Sequence, residues 1–243
     1  MTIDPKGQPA LPLVFQAVSL QIGSTKRLND LDFKLVAGPL TVLLGPNGAG
    51  KTLLLKLCHG ILAPSNGRIF WQSPGTLAPN RQAMVFQRPV MLRRSVVANI
   101  AYPLILRGMS RAHRATRVAA VLTQTGLGAL ARRAARTLSA GEQQRLAIAR
   151  AWSIEPEILF LDEPTANLDP TATHAIEDLI SEIARGGTKV LLATNDLGQA
   201  KRLAGEILFL HRGRLLEQTS AQAFFDGPAD PAARAFLRGE LPW

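Results

Sequence analysis

Hydrophobic and polar positions along the chain form three successive patterns, which predict strands, then helices, then strands again. Residues 13–22 and 28–36 alternate apolar and polar side chains, which is typical of antiparallel strands. Short apolar runs predict further strands at 40–44, 67–72, 82–87, 157–162, 188–193 and 207–210, with a turn at Pro74 and Gly75. Residues 95–151 instead show mostly helical spacing, and the tail from Ala221 is broken helix. Strands on both sides of a helical insertion indicate an α/β chain.

The run at 40–44 leads into a glycine-rich stretch and then into an apolar helical run. The stretch fits G-x-x-x-x-G-K-[ST] at every fixed position, and its members are Gly45, Pro46, Asn47, Gly48, Ala49, Gly50, Lys51 and Thr52. Glycines let successive N–H groups point into one concavity, and the helix N-terminus adds a positive dipole end. A triphosphate fits such a loop, with Lys51 reaching its β- and γ-phosphates and the Thr52 hydroxyl binding Mg²⁺. We therefore predict a nucleotide site here.

A later apolar run, residues 158–161, ends in two carboxylates, Asp162 and Glu163. Alone, a strand that ends in Asp-Glu is a weak signal, but behind a phosphate loop it is a strong one. Asp162 is expected to hold Mg²⁺ through water or Thr52. Glu163 is expected to act as the general base on an attacking water.

Four residues, Ser139, Ala140, Gly141 and Glu142, precede an alanine-rich helical run. Ser139 is a good N-cap, and the small residues leave the helix N-terminus bare, as an anion site requires. In isolation, a capped helix without a ligand would be the favoured interpretation. Because the phosphate loop already supplies one such site, we expect this second one to contact a phosphate held by a neighbouring subunit.

Positive charge is concentrated in the helical region. From Arg81 to Arg150 there are thirteen arginines, no lysine and one acid, Glu142, so the charge of this region is +12. The net charge of the whole chain is +10, so the charge of the remaining residues sums to −2. Such a lobe could face nucleic acid, anionic lipid or an acidic partner, or it could be a solvated arginine-rich surface.

Composition limits the remaining possibilities. An apolar content of 47% predicts a globular chain, and the single cysteine, Cys58, is expected to be a small core residue. The four histidines show no metal-ligand spacing. No secretory signal and no apolar run long enough to span a bilayer are found, so the expected location is cytoplasmic.

The phosphate loop, Gln87, the stretch from Leu138 to Glu142 and the strand ending at Glu163 resemble the ATP-binding cassette (ABC) family in order and spacing. The resemblance covers nearly the whole chain, and the stretch from Ser139 separates this family from other P-loop NTPases. It implies a RecA-like P-loop core, an antiparallel β subdomain and an inserted α-helical subdomain. The implied bounds are one domain over 1–243, with 1–87 and 149–243 as the core and 88–148 as the helical subdomain.

The same resemblance implies ATP and Mg²⁺ as cofactors and a head-to-tail homodimer in the ATP-bound state. Ser139 and Gly141 of one subunit would contact the γ-phosphate held by Lys51 of the other. Gln87 would touch Mg²⁺ and sense nucleotide at the junction of the two lobes. Asp169, at the end of a stretch that resembles the family's D-loop, would act across the dimer.

Three positions depart from the family pattern. The aromatic residue that usually stacks on adenine is replaced by Ile22, and the first glycine of the signature is Ala140. The switch histidine falls at Asn195, whose amide can still hydrogen-bond a γ-phosphate or orient Glu163. An amide cannot carry the positive charge that histidine can, so we expect slower hydrolysis.

The resemblance implies the ATP-hydrolysing subunit of a membrane transporter, docked through its helical lobe on a separate permease at the inner face of the membrane. The stretch from Gln87 to Val96 is most similar to cassettes of oxyanion importers, of the tungstate, phosphate or molybdate type. An importer of this kind would also use a periplasmic binding protein. The alternative, suggested by the basic lobe, is a soluble cassette ATPase acting on nucleic acid. Against it, the chain has a single cassette and no long coiled coil.

Overall fold

The structure is a computed structural model that describes residues 11–72 and 81–240. The strands are β1 (Leu13–Ile22), β2 (Thr25–Leu35), β3 (Thr41–Leu44), β4 (Asn66–Trp71), β5 (Gln82–Val85), β6 (Ile158–Asp162), β7 (Lys189–Thr194), β8 (Glu206–His211) and β9 (Arg214–Ser220). The helices are α1 (Lys51–His59), α2 (Val96–Leu106), α3 (Arg111–Gln124), α4 (Ala140–Trp152), α5 (Pro170–Arg185), α6 (Leu197–Leu203), α7 (Ala221–Asp226) and α8 (Pro231–Leu237). The turn predicted at Pro74 and Gly75 lies outside the described residues.

A six-stranded sheet in the order β5-β6-β7-β3-β8-β9 forms the centre. Its strands are parallel except β9, which pairs antiparallel with β8. Val42 and Leu44 face one hydrophobic core, whereas Leu43 between them faces the other. Both faces are covered, which explains why these strands are continuous apolar runs. The carboxyl ends of β3, β6 and β7 meet at one edge, which is where open α/β sheets bind ligands.

A second, three-stranded antiparallel sheet has the order β2-β1-β4. The second half of β2 alternates buried and exposed side chains as predicted, whereas β1 buries Leu13, Val14 and Phe15 in succession. Phe15 stacks on Phe33 of β2 with ring centroids 4.3 Å apart. The sheet shares a core with α1. It is also joined to the turn between β8 and β9, because the backbone N–H of Asn29 donates to the carbonyl of Gly213 at 2.7 Å. The Gly213 N–H in turn donates to the carbonyl of Ala49 at 3.0 Å, so this turn supports the phosphate loop.

The segment between β5 and β6 forms a helical lobe built from α2, α3, α4 and two short 3-10 turns. Serines cap all three helices: the hydroxyls of Ser95, Ser110 and Ser139 accept from N–H groups of their first turns. Some of the lobe's arginines are structural. Arg117 donates to the carbonyls of Trp152 and Ser153 and lies 5.0 Å from the Trp152 ring centroid. The predicted α/β fold with an antiparallel sheet and an inserted helical lobe is confirmed.

Candidate functional site

The phosphate loop joins β3 to α1 at the carboxyl edge of the central sheet. Gly50 precedes the helix with φ 108°, a left-handed conformation that glycine adopts without steric cost. No side chain caps this helix, so no side-chain acceptor competes with a ligand for the N–H groups of its first turn. These donors and the positive end of the helix dipole make the loop an anion site.

Lys51 is 5% exposed and is held inside this loop. Its Nζ donates to the carbonyls of Gly45 at 2.8 Å and Pro46 at 3.1 Å, and lies 3.7 Å from Oε1 of Glu163. Burial lowers the pKa of Lys51, and the charges of Glu163 and Asp162 oppose that shift. The ammonium group is therefore largely desolvated and lies between two loop carbonyls and the Glu163 carboxylate.

Asp162 and Glu163 lie beside this loop, at the end of β6. The hydroxyl of Thr52 donates to Oδ1 of Asp162 at 3.1 Å. Burial raises the pKa of Asp162, while the hydrogen bond from Thr52 lowers it. Glu163 has φ 44°, which is uncommon for a residue other than glycine, and its Oε2 accepts from Nε2 of Gln87 at 3.1 Å. Three distant parts of the sequence thus meet within hydrogen-bond distance.

Asn195 follows β7 and reaches the same loop. Its Nδ2 donates to Oδ1 of Asn47 at 3.0 Å. The next residue, Asp196, caps α6 by accepting from the N–H of Gln199 at 3.0 Å, which fixes where the strand ends and the helix begins. Asn195 therefore lies beside the phosphate loop, and its role as the switch residue stays a prediction.

The Ser139–Glu142 stretch forms a capping box at the start of α4. Ser139 Oγ accepts from the N–H of Glu142 at 3.3 Å, and Oε2 of Glu142 accepts from the N–H of Ser139 at 2.8 Å. A Cβ on Gly141 would lie 2.8 Å from the Cβ of Ala172, so the start of α4 packs directly against α5. Within the described residues, no hydrogen bond or ion pair joins this stretch to the phosphate loop.

Asp169, the other residue expected to act across a dimer, has a local contact. Its Oδ1 accepts from the N–H of Ala172 at 2.9 Å and caps α5. Ala172 is also the residue that Gly141 touches. The two predicted dimer-facing segments thus lie beside each other at neighbouring helix N-termini.

Sequence reasoning missed Arg27, on β2. Together with the phosphate loop and Glu163, it lines a cavity of about 280 Å³. No local motif marks Arg27, because only the packing of the antiparallel sheet against the loop brings it there. Ile22, at the end of β1, is 49% exposed and presents an apolar surface where an aromatic residue was expected.

Comparison with known proteins agrees with this geometry. The family model described as "ABC transporter" matches residues 28–166. The tungstate uptake system ATP-binding protein TupC of Peptoclostridium acidaminophilum is 40% identical, over 78% of this chain and 88% of that protein. The phosphate import ATP-binding protein PstB 1 of Vibrio parahaemolyticus is 33% identical, over 91% of this chain and 88% of that protein.

Among solved structures, cbiO1 from Clostridium perfringens, described as part of the ABC transporter complex cbiONQ, superposes with a TM-score of 0.80. It is 28% identical, and the match covers 88% of this chain and 90% of that one. The fold and the phosphate-binding edge define a P-loop nucleotide-binding protein. Within that class, the chain belongs to the ATP-binding cassette family and is an ATP-binding ATPase of that family.

Proposed function

We propose that this chain hydrolyses MgATP at the carboxyl edge of its central sheet and thereby powers a membrane importer for an oxyanion. The observation that carries the catalytic part is the convergence of five residues at this edge: Thr52 bonds to Asp162, Gln87 bonds to the adjacent Glu163, and Lys51 pairs with Glu163. A P-loop amide cradle beside these groups supplies what phosphoryl transfer needs, namely positioning and charge stabilisation.

The residues present fit Mg²⁺. This ion prefers oxygen ligands and takes few of them from the protein when phosphates supply others. The Thr52 hydroxyl and the Asp162 carboxylate lie 3.1 Å apart, and Gln87 retains its side-chain oxygen because its Nε2 is the atom bonded to Glu163. When bound there, Mg²⁺ would neutralise charge on the β- and γ-phosphates.

Each residue then has a distinct task. Lys51 gives its charge to the phosphates, which would replace Glu163 as its counter-ion and release that carboxylate. Glu163 accepts a proton from the attacking water, and Gln87 orients the Glu163 carboxylate through the 3.1 Å hydrogen bond. Asn195 donates a neutral hydrogen bond to the γ-phosphate, and Arg27 adds a positive charge at the wall of the cavity.

ATP would close two copies head to tail, with Ser139 and Gly141 of one copy facing the nucleotide of the other. The capping box supports this proposal, since Ser139 Oγ accepts from Glu142 and so keeps its own O–H free to donate. N–H groups in the first turn of α4 are donors that a helix cannot satisfy internally. Asp169, at the adjacent start of α5, would lie at the same interface.

We propose that the permease docks in a groove between the core and the helical subdomain. The proposed bounds of that subdomain are residues 88–148. The groove has a volume of about 410 Å³, and its wall includes Phe86, Val90, Tyr102 and Leu106. Val90 is 72% exposed and Leu106 is 70% exposed, and both belong to the wall of this one groove, as in the exposed apolar patches that mark interaction sites. Among the described residues, no helix is long and apolar enough to cross a membrane.

Charge around the groove indicates what the docking segment carries. The Arg94 guanidinium lies 5.1 Å from the ring centroid of Tyr102, Arg107 donates to the carbonyl of Ile154 at 2.9 Å, and Arg88 is exposed. An amphipathic cytoplasmic helix of the permease, with an apolar ridge flanked by carboxylates, complements this rim. This docking would hold the protein at the inner face of the membrane.

The cargo is proposed from the relatives. Two of them are named for tungstate and phosphate, which are both oxyanions, and both names describe uptake or import. These names favour a transporter over an ATPase acting on nucleic acid. We therefore propose that the same system includes a periplasmic oxyanion-binding protein. If a neighbouring gene encodes such a protein, the anion that the protein binds in a titration tests the proposed cargo.

Glu163→Gln tests the catalytic part, because it neutralises only the proposed base. Phosphate release should be lost while MgATP stays bound, and size-exclusion chromatography with MgATP should show a stable dimer. Asp178→Asn, which neutralises an exposed carboxylate on α5, is the matched control and should behave as wild type. Wild-type turnover by Glu163→Gln would refute the assignment of the base, and an ATP-bound monomer would refute the dimer mechanism.

A further inference from the structure

A buried polar network lies behind the site, and the proposed mechanism does not use it. Glu177, on α5, is 4% exposed, and its carboxylate accepts two hydrogen bonds from Arg202 on α6, at 2.7 and 2.8 Å. Gln199, also on α6, donates from Nε2 to Oε1 of Glu177 at 3.2 Å and to Oγ1 of Thr165 at 2.8 Å. One amide thus joins α5, α6 and the loop that follows Glu163.

The chemistry of Gln199 explains its orientation. It is fully buried, and both groups nearest its amide nitrogen are oxygen acceptors, so Nε2 faces them. Its Oε1 is buried with no hydrogen-bond partner. An unsatisfied buried acceptor is destabilising, so this geometry is costly unless the two bonds from Nε2 compensate for it.

The network joins two segments of the site. Thr165 lies in the loop between Glu163 and the helix cap Asp169, and Gln199 belongs to the first turn of α6, whose cap directly follows Asn195. The loop contains two non-glycine residues with positive φ, Glu163 at 44° and Asn167 at 63°. Such conformations persist only where the surrounding structure holds them.

Glu163 contacts Gln87 and Lys51 at one end of this loop, and Leu168 packs against the hydrophobic core at the other, but the residues between them have few hydrogen bonds to the rest of the described chain. Beyond the sheet bond from the Glu163 N–H to the carbonyl of Ala193 at 2.9 Å, its backbone bonds are local, from Ala166 to Glu163 and from Leu168 to Thr165. Among the described residues, the hydrogen bond from Gln199 joins the Thr165 hydroxyl to α6.

We propose that Gln199 is a positioning residue for ATP hydrolysis: it keeps the loop of Glu163 in register with the segment that carries Asn195, and the Glu177–Arg202 pair holds it in place. The inference rests on the proposed function. This arrangement of Glu177 and Gln199 requires one carboxylate and one amide. With a carboxylate at both positions, two negative charges would face each other at about the 3.2 Å that now separates Gln199 Nε2 from Glu177 Oε1.

The test compares Gln199→Leu with Thr41→Val. Thr41 is also fully buried, and its hydroxyl donates to Glu206 at 2.7 Å, but it begins β3 and so lies at the opposite edge of the sheet from the phosphate loop. Steady-state phosphate release gives kcat and KM for MgATP, and thermal unfolding gives Tm for each protein. For Gln199→Leu we expect kcat to fall about tenfold with KM within about twofold, since Lys51 and the loop amides bind ATP unaided. Thr41→Val should lower Tm and leave kcat unchanged.

Exchanging the acid and the amide between positions 177 and 199 distinguishes a positioning role from a purely structural one, because kcat should then recover. Gln199→Glu alone should lower kcat at least as much as Gln199→Leu, because it sets two carboxylates against each other. Combining it with Glu177→Gln restores one acid and one amide, and most of the lost kcat should return. Thr165→Val should reproduce the loss of Gln199→Leu, and the double variant should lose little more than either alone.

Several results would overturn the inference: kcat within twofold of wild type for Gln199→Leu, an equal loss of kcat in Thr41→Val, or no recovery in the swap. Glu163→Gln is measured alongside. If it retains wild-type turnover, the proposed function itself fails. If Glu163→Gln is inactive while Gln199→Leu is fully active, only the positioning role fails.

Discussion

Asn195 stands where the family's switch histidine is expected, and Asn195→His tests whether that difference limits hydrolysis. The amide of Asn195 is half-buried and donates to Oδ1 of Asn47 at 3.0 Å, so the side chain already reaches the phosphate loop. A histidine at the end of β7 would therefore have access to the same place, and it would add a charge that an amide lacks.

The magnitude follows from the type of hydrogen bond. A neutral hydrogen bond contributes about 0.5–1.5 kcal/mol net, and one to a charged group about 1.5–3 kcal/mol. Negative charge is stabilised at the transferred phosphoryl group, so a stronger contact there acts on the transition state. The difference between the two is about 1–1.5 kcal/mol, so we expect Asn195→His to raise turnover about 5- to 12-fold. ATP affinity should change much less, because Lys51, Thr52 and the loop amides carry ground-state binding.

The assay is steady-state phosphate release at saturating MgATP for wild type, Asn195→His and Asn195→Ala, over roughly pH 6 to 8. Histidine ordinarily has a pKa of about 6.5, so its charge is present below that pH and is lost above it. The ratio of the histidine variant to wild type should therefore be largest at the acid end and fall as the pH rises. Asn195→Ala, which removes the donor, should be slower than wild type throughout.

Two results would refute this reasoning. An unchanged or lower rate for Asn195→His would mean that the amide is fully competent or does not act at the γ-phosphate. If Asn195→Ala also turns over as fast as wild type, the second explanation holds, and the bond to Asn47 is only structural.

Three further predictions concern other parts of the molecule. Lys51→Ala should weaken MgATP binding severely in a fluorescent-nucleotide titration, and unchanged binding would contradict the site. Gly141→Ala should destabilise the fold by about 1–3 kcal/mol in thermal unfolding, because its Cβ would lie 2.8 Å from that of Ala172, and Ala172→Gly should restore stability. Val90→Glu should abolish co-purification with the permease and leave basal phosphate release unchanged, whereas loss of both would mean that the groove is not a separate docking surface.

The chemistry of the site could be predicted from the sequence because its motifs are local. The phosphate loop occupies eight consecutive residues, and Asp162 and Glu163 are adjacent at the end of one apolar run. The strand predictions depended on the apolar–polar periodicity, so strand ends without that periodicity were predicted less accurately. β2 begins at Thr25 rather than at Leu28, because the side chains of residues 25–27 are all exposed and only pairing with β1 makes them strand.

Motifs and periodicity thus determined the α/β class and the family, and they predicted the phosphate-binding loop, the two carboxylates and the switch residue at Asn195. Only the tertiary structure decided the strand order β5-β6-β7-β3-β8-β9, which brings Gln87, Glu163 and Asn195 to one edge. It also decided that Arg27 lines the cavity and that Gln199 joins α5 and α6 to the loop after Glu163. The reason is physical. Buried apolar strands have similar sequence patterns, so the pattern does not specify their order in the sheet, and the partner of a polar side chain depends on which elements pack beside it.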